Sequence, residues 1–190
     1  CTGKRVKAVK LTDGTVLKAD IIVSNSDASE TLLELLPKES VSHRKRKKQE
    51  NLEPSCSGFV LLLGISKKFK TLAHHNIFFS SDYQSEFNSI FNEKKLPNDP
   101  TIYVANTSHS DPAHAPNGHS NLFILVNAPY LTEDQNWESL SRSYPELIIS
   151  KLENSGLTGL MKSVKFSKII TPEDFYRNYR SNRGSIYGTS

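Results

Sequence analysis

The sequence predicts an α+β protein with a mixed, mainly antiparallel β-sheet and helices packed on one face of that sheet. Apolar runs of strand length occur at residues 59–63 and 122–126, and polar residues or glycines bound them. Segments with the apolar spacing of a helix lie between the strand-like runs. The two types do not alternate in the regular β-α-β order of a parallel sheet, so the pattern indicates α+β architecture.

The first predicted element is a β-hairpin over residues 1–24. Two alternating apolar strands flank Asp13-Gly14, a dipeptide that tolerates the positive φ of a tight hairpin turn. The second strand becomes fully apolar at residues 21–23, as a strand covered on both faces does. Because such a strand needs neighbours on both sides, we expect this chain to be a piece of a larger protein.

Small polar residues follow the apolar strand and are candidate ligand-binding residues. They are Ser24, Asn25 and Asp27, and the carboxyl ends of strands are where open α/β sheets place ligands. Asp27 is equally a helix N-cap, since Glu30 stands three residues later at the start of an apolar helical segment.

The later elements follow from apolar patterning and capping. The other predicted strands span residues 57–65, 74–79, 101–106, 121–128 and 164–170. The predicted helices run from Asp27 to before Pro37, over residues 38–51, 82–91 and 137–155, and from Thr171 onward. The last helix has the strongest start signal, because Thr171 precedes a proline and has Asp174 at capping-box spacing.

Charge and cysteine content limit the setting of the chain. The net charge is +4, much of it from the basic run at residues 43–48, which is either a solvated helix face or a contact for anionic lipid. No aromatic residues interleave with this run, so we expect no nucleic-acid partner. No apolar stretch approaches the roughly 20 residues of a membrane span. With only two cysteines, we expect a cytoplasmic protein, with peripheral contact at the inner face of the membrane.

The histidines do not predict a metal site. His74 and His75 are adjacent on a predicted strand, so their side chains point to opposite faces. His109, His114 and His119 are five residues apart in a polar loop, which is not a usual ligand spacing.

Six segments in order carry a family resemblance. They are residues 54–59 (PSCSGF), 72–79 (LAHHNIFF), 100–104 (PTIYV), 111–118 (DPAHAPNG), 121–130 (NLFILVNAPY) and 182–188 (NRGSIYG). Together with the hairpin they resemble the phytoene desaturase family, the bacterial FAD-dependent carotenoid desaturases. The chain looks most similar to the dehydrosqualene (diapophytoene) desaturases and related carotenoid oxidases.

The resemblance implies a two-domain flavoprotein. Residues 1–27 would be a hairpin of the FAD-binding domain, and residues 28–190 a substrate-binding domain truncated at both ends relative to the family. The implied function is FAD-dependent desaturation or oxidation of a linear carotenoid precursor. The chain lacks the Gly-x-Gly-x-x-Gly turn that cradles the FAD pyrophosphate. We therefore expect FAD to be bound mainly by parts of the protein missing from this chain, and the chain alone to be inactive.

The resemblance also implies site residues, although none is assignable as catalytic. The candidate FAD-contacting residues are Ser24, Asn25, Asp27, Arg183 and Gly184. The candidate substrate-binding residues are His74, Phe78, Tyr103, Phe123, Ser185 and Tyr187. A polyene has no polar handle, so its tunnel should be lined with apolar and aromatic side chains. Arg183 and Gly184 alternatively form a simple turn with a surface arginine.

Two other functions fit the sequence. An amine oxidase-like flavoenzyme of the same superfamily would need an aromatic cage for a substrate cation, and product analysis separates it from a desaturase. A non-catalytic lipid-binding module would bind a carotene tightly without any flavin domain.

Overall fold

The computed structural model describes residues 5–188. Residues 1–4 and 189–190, which include Cys1 and the first part of the predicted hairpin, lie outside the described residues. The strands are β1 (Ala8–Lys10), β2 (Val16–Lys18), β3 (Ser57–Ile65), β4 (His75–Phe78), β5 (Ile102–Ala105), β6 (Ser120–Ala128) and β7 (Val164–Ile170). The α-helices are α1 (His43–Glu50), α2 (Tyr83–Phe91), α3 (Trp137–Asn154), α4 (Leu160–Ser163) and α5 (Pro172–Tyr179).

The strands form two sheets, which confirms the predicted α+β class. β1 and β2 make a two-stranded sheet, and the other five strands make a sheet of order β4-β5-β6-β3-β7. All strand pairings among residues 5–188 are antiparallel, so the sheet is less mixed than the sequence predicted. β3 and β6 pair along their whole lengths and form the centre of the large sheet.

The hairpin forms as predicted, but the apolar run after it is not a strand. Gly14 takes φ +89° in the turn, and Asp13 Oδ1 accepts a hydrogen bond from the Thr15 backbone N–H at 2.8 Å. Ile21 and Val23 are 83% and 85% exposed, and no strand within residues 5–188 pairs with their segment. The prediction of a buried strand at residues 21–23 is therefore wrong for the described chain, because the pattern alone cannot supply the neighbouring strands.

The segment after the hairpin folds into two short helical turns and α1. A π-helical segment spans Glu30–Leu35 and ends before Pro37, as the sequence predicted for its stop. The helix expected over residues 38–51 is interrupted, because Ser42 caps α1 by accepting a hydrogen bond from the Lys45 N–H. Arg46 of α1 donates from its guanidinium to the carbonyls of Leu32 and Leu33, at 3.1 and 2.9 Å, and so joins the two helical segments.

The core lies between one face of the large sheet and α3. Side chains from β3, β5 and β6 on this face are almost fully buried; they are Phe59, Leu61, Leu63, Ile102, Val104, Leu122, Ile124 and Val126. Tyr144, Ile148 and Leu152 of α3 pack against them, and Tyr144 contacts Phe59 edge to face at 5.3 Å. Burial of each large apolar side chain contributes about 1.5–3 kcal/mol, so this layer is the main source of stability.

The opposite face of the sheet is covered only at one end. α5 begins with the predicted capping box, in which Thr171 and Asp174 bond each other's backbone. Phe175 of α5 and Ile186 lie 3.8 and 3.4 Å from the position a Cβ would take at Gly58, near the start of β3. Helices therefore pack on both faces, because α5 covers one end of the face that the sequence predicted to be free of helices.

Helix α2 presents a different face to the core from the one its aromatic residues suggest. Tyr83, Phe87 and Phe91 are exposed and form a row along the helix, with tilted rings whose centroids lie 4.7 and 5.3 Å apart. Ile90 and Glu86 are buried instead. The Glu86 carboxylate accepts hydrogen bonds from the backbone N–H and the hydroxyl of Thr101, at 2.8 and 2.7 Å, which offsets the cost of its burial. Among residues 5–188, no helix is long and apolar enough to cross a membrane.

Candidate functional site

The uncovered part of the large sheet is an apolar surface, which we call the open sheet face. It consists of Ile77, Tyr103, Phe123, Leu125, Leu62 and Phe166. Alternation along each strand directs these side chains away from α3. Ile77, Phe123 and Phe166 are 56%, 37% and 59% exposed. A contiguous exposed apolar patch marks an interaction surface, so this face is the candidate binding site.

The open sheet face is organised in rows that cross the strands. One row places Ile77, Tyr103 and Leu125 opposite one another, and Val60 of β3 continues it. The next row places Phe123 opposite Leu62. The Tyr103 and Phe123 rings meet edge to face at 6.3 Å. Four strand spacings of about 4.8 Å make the sheet about 19 Å wide, and this width suits an elongated ligand.

A polar pair stands at the β4–β5 edge of the open sheet face. The Nδ1 atom of His75 and the hydroxyl of Tyr103 are hydrogen bonded at 2.7 Å, and the two rings stack at 5.9 Å. Ala105 lies opposite both His75 and Phe123 in the register, so only a methyl group separates the polar edge from the phenyl ring. This edge is the one place on β4 and β5 where the open sheet face offers a hydrogen-bonding side chain among the described residues.

The segment of residues 182–188 closes one end of the open sheet face. Its backbone pairs with the residues before β3, since the Ile186 N–H donates to the Cys56 carbonyl at 3.1 Å and Gly188 accepts from the Ser55 N–H at 2.9 Å. The Ser57 hydroxyl donates to the Gly184 carbonyl at 2.5 Å. Burial raises the pKa of the Cys56 thiol, so this cysteine is not an activated nucleophile.

Arg183 is held in a strained conformation beside a charged cluster. It adopts φ +49°, and its guanidinium lies 5.7 Å from the centroid of the Tyr130 ring. Lys94 lies over the same ring at 4.2 Å, and both Lys94 and the Tyr130 hydroxyl donate to Glu53 Oε1, at 2.8 and 2.9 Å. The hydrogen bonds from Lys94 and Tyr130 hold the pKa of Glu53 below its ordinary value. The exposed Arg183 side chain therefore lies beside this cluster, near the Tyr130 ring.

The five predicted FAD-contacting residues lie in two segments, residues 24–27 and residues 183–184. Ser24 shares a hydrogen bond with the Thr31 hydroxyl at 2.8 Å, and Asn25 is exposed. Asp27 accepts from the Ser29 N–H at 2.7 Å, as an N-cap does. The nearest contact between the two regions is an ion pair, in which Arg180 Nε, three residues before Arg183, lies 3.5 Å from Oε1 of Glu30, three residues after Asp27.

The backbone conformation and the surroundings of Gly184 leave no room for a side chain. It adopts φ +72°, and a Cβ there would lie 2.3 Å from the Pro172 carbonyl oxygen. The close approach that this glycine permits is therefore to α5.

The six predicted substrate residues do not share one surface. Tyr103 and Phe123 lie on the open sheet face, and Tyr187 is exposed in the segment of residues 182–188. Phe78 packs against the core on the other face of the sheet. His74 Nδ1 is hydrogen bonded to the Ser110 hydroxyl at 2.7 Å, and Ser185 is buried with its hydroxyl donating to the Gly188 carbonyl at 3.2 Å.

Sequence reasoning missed four members of the open sheet face, which are Ile77, Leu125, Leu62 and Phe166, and it also missed His75 at its edge. His75, Ile77 and Leu125 share the face of Tyr103 and Phe123, as the strand register shows. Alternation from Phe123 identifies Leu125 without a structure, since the two are separated by one residue on β6. Placing β4 required its register against β5, which the sequence does not contain.

A separate groove of about 780 Å³ lies on the α3 side of the molecule. Its lining includes the apolar Leu96, Leu140 and Leu147 and the charged Lys94 and Asp134. None of the eleven predicted site residues lines it. The open sheet face therefore remains the candidate site.

The comparisons with known proteins agree with the resemblance stated above. The chain is 41% identical over 184 residues to a 4,4'-diaponeurosporene oxygenase of Staphylococcus haemolyticus. The aligned region covers 96% of this chain and 36% of that protein. The chain is a relative of the 4,4'-diaponeurosporene oxygenases. It is 39% identical over 185 residues to that of Staphylococcus aureus, covering 97% of this chain and 37% of the relative. The chain therefore spans little more than a third of the length of these curated relatives.

Two further comparisons concern family models and solved structures. No protein-family model matches the chain. Among solved structures, an oxidoreductase from Methanosarcina mazei is similar to it with a TM-score of 0.47 and 16% identity, over 86% of this chain and 34% of that one. The similarity to the oxygenases confirms the resemblance to carotenoid oxidases.

Proposed function

We propose that this chain forms the substrate-binding region of an FAD-dependent oxidoreductase that oxidises or desaturates a linear carotenoid precursor. Its relatives are named as oxygenases of 4,4'-diaponeurosporene, and the identity extends over nearly the whole chain. The observation that carries the proposal is the open sheet face, an exposed apolar surface backed by a rigid five-stranded sheet.

A polyene suits this surface on physical grounds. Such a ligand is long and apolar, so its affinity must come from removing apolar surface from water. Covering about 200 Å² of apolar surface contributes roughly 5 kcal/mol at about 25 cal/mol per Å². Phe123 and Tyr103 add aromatic faces, and aromatic rings bury much area at a low entropic cost because they have few rotatable bonds.

FAD is part of the same proposal. It would accept a hydride from the substrate, which is the step that no side chain of this chain performs. Arg183 and Asn25 are exposed and carry hydrogen-bond donors that fit an anionic cofactor. The chain has no glycine-rich phosphate turn, so most FAD contacts would come from outside this chain, and the chain alone would be inactive.

Loading a polyene requires access to a bilayer, and α1 has the charge for it. Arg44, Lys45, Lys47 and Lys48 are exposed on α1, whereas Arg46 turns inward to the Leu32 and Leu33 carbonyls. The neighbouring π-helical segment exposes the apolar side chain of Leu35. We propose that these elements make peripheral contact with an anionic membrane surface.

The binding of a polyene by the purified chain tests the proposed function. Vesicles loaded with 4,4'-diaponeurosporene are mixed with the protein and removed by centrifugation, and the polyene left with the protein is measured by its absorbance. We expect the wild-type chain to retain polyene. Phe123→Asp should lower the retained amount at least about tenfold, because a carboxylate on the open sheet face must be desolvated to bind an apolar ligand.

Leu17→Asp is the matched control. Leu17 is also an exposed apolar side chain in a strand, but it lies in the separate two-stranded sheet. Its substitution should leave polyene retention unchanged. Equal retention by wild type and Phe123→Asp, or none by wild type, would refute the proposed function.

A further inference from the structure

We propose that His75 and Tyr103 recognise an oxygen atom at the end of a linear isoprenoid that lies on the open sheet face. The pair would make the site prefer an alcohol- or aldehyde-ended chain over the matching hydrocarbon. This inference rests on the proposed function, and it adds a specificity that the apolar surface alone cannot provide.

The polar pair has one more hydrogen-bond donor than its mutual hydrogen bond uses. A neutral imidazole and a phenol have one N–H and one O–H between them, and their mutual hydrogen bond at 2.7 Å uses one of the two. If the Tyr103 hydroxyl donates to Nδ1, the Nε2–H of His75 is left for a ligand, and if Nδ1–H donates to Tyr103, the Tyr103 O–H is left. Among residues 5–188, the His75 ring is hydrogen bonded through Nδ1 to the Tyr103 hydroxyl. An aldehyde oxygen is an acceptor only, so it complements this remaining donor.

The position of the pair also suits the end of a bound chain. His75, Ala105 and Phe123 lie in one cross-strand row, and the small alanine leaves a low point between the imidazole and the phenyl ring. Tyr103 contacts both neighbours, since its ring stacks on His75 at 5.9 Å and meets Phe123 edge to face at 6.3 Å. A chain lying over Phe123 toward the sheet edge would therefore end at the polar pair.

The polar side chain at the opposite end of this row, Lys168, is a weaker candidate for binding the ligand oxygen. Lys168 lies opposite Leu62 on β7, at the far edge of the sheet, and is exposed. Its long side chain would lose considerable rotamer freedom on ordering. His75 and Tyr103 hold each other in place before a ligand arrives, so they lose less of this freedom on binding.

Farnesal and farnesene, an aldehyde and a hydrocarbon of the same isoprenoid skeleton, test the inference. Binding of each to the purified chain is measured by competition with polyene for the open sheet face. We expect the wild-type chain to bind farnesal about 5- to 10-fold more tightly, the effect of one hydrogen bond. The double variant His75→Leu/Tyr103→Phe should bind both ligands equally and farnesene no more weakly than wild type does.

Single variants and a control distinguish recognition from general disruption. His75→Leu and Tyr103→Phe each leave one donor that is no longer held by its partner, so each should show an intermediate preference. Lys168→Met should keep the wild-type preference. A double variant that still prefers farnesal, or a wild type that binds both ligands equally, overturns the inference while the proposed function stands. A wild type that binds polyene but neither farnesal nor farnesene overturns the inference alone, and a wild type that binds no polyene overturns both.

Discussion

The backbone of Gly184 lies directly against the carbonyl oxygen of Pro172, so that a Cβ on the glycine would come within 2.3 Å of it. Gly184 also adopts φ +72°, which side chains rarely accept. This contact seats the segment of residues 182–188 against the first turn of α5. Together with the hydrogen bonds to residues 55–57, it determines where Arg183, Ile186 and Tyr187 lie relative to the open sheet face.

Gly184→Ala should destabilise the chain by about 2–4 kcal/mol, because the backbone of α5 cannot yield as a flexible side chain would. Gly188→Ala is the control, since Gly188 adopts φ +81° but has no atom within 4 Å of the place where a Cβ would lie. Gly188→Ala should lower the free energy of unfolding by only about 1 kcal/mol, which is the cost of placing an alanine in the left-handed conformation. Urea unfolding followed by circular dichroism measures both. Equal losses would mean that the contact with Pro172 carries no energy.

Tyr144→Phe should destabilise the core by about 1–2 kcal/mol. The buried Tyr144 hydroxyl donates to the Pro97 carbonyl at 2.7 Å, and the substitution leaves that carbonyl without its partner while the ring still packs on Phe59. Tyr179→Phe removes a hydroxyl from an exposed tyrosine and should change the free energy of unfolding by less than about 0.5 kcal/mol. Similar values for the two variants would contradict this account.

The stability of the chain should fall below about pH 4, partly through Asp99. Hydrogen bonds from Lys151, and then from the Ser81 hydroxyl and N–H, lower the pKa of Asp99 from 3.8 to about 2. A depressed pKa in the folded state means that the contribution is complete above the unfolded pKa and disappears as the pH falls through about 2. Because the carboxylate is partly exposed, we expect a small effect.

Urea unfolding at several pH values between 6 and about 2 isolates this contribution. Asp99→Asn should be less stable than wild type near neutral pH, and the difference should shrink as Asp99 becomes protonated. Asp134→Asn, at an exposed carboxylate outside this cluster, serves as the charge-matched control. A difference between Asp99→Asn and wild type that stays constant with pH would exclude the ion pair as its cause.

Membrane contact through α1 should be electrostatic. Arg44→Glu/Lys47→Glu should weaken binding to phosphatidylglycerol vesicles at least about tenfold at low salt, since each basic residue near such a surface contributes about 1 kcal/mol. Lys162→Glu/Lys165→Glu makes the same charge change at exposed lysines of α4 and β7 and should have little effect. Vesicle flotation measures both variants. Loss of binding by the two variants alike would indicate a response to net charge, and not contact through α1.

The sequence predicted correctly the elements that are defined by neighbouring residues, such as bounded apolar runs and helix caps. The bounds of β3 match the prediction because glycine and polar residues limit its apolar run, and the Thr171 capping box marks the start of α5. Residues 21–23 and Glu86 were not predictable in this way. Burial at these positions depends on residues distant in sequence, such as Thr101 for Glu86.

The residues of the candidate site were likewise predictable only in part. Tyr103 and Phe123 could be proposed from their residue type, because a polyene needs aromatic and apolar contacts. His74 is the predicted member of the adjacent pair, whereas His75 is the one on the open sheet face. Which of two neighbouring residues faces a site depends on strand register, and the register of β4 comes from its pairing with β5.

Methyl NMR during a titration with 4,4'-diaponeurosporene tests the central claim most directly. Alternation along the same strands supplies the internal control. We expect the methyl signals of Ile77, Leu62 and Leu125 on the open sheet face to shift, and those of Leu61, Val104 and Ile124 on the core face to remain in place. Shifts confined to Leu140 and Leu147 of the α3 groove, or none at all, would contradict the assignment of the open sheet face as the binding surface.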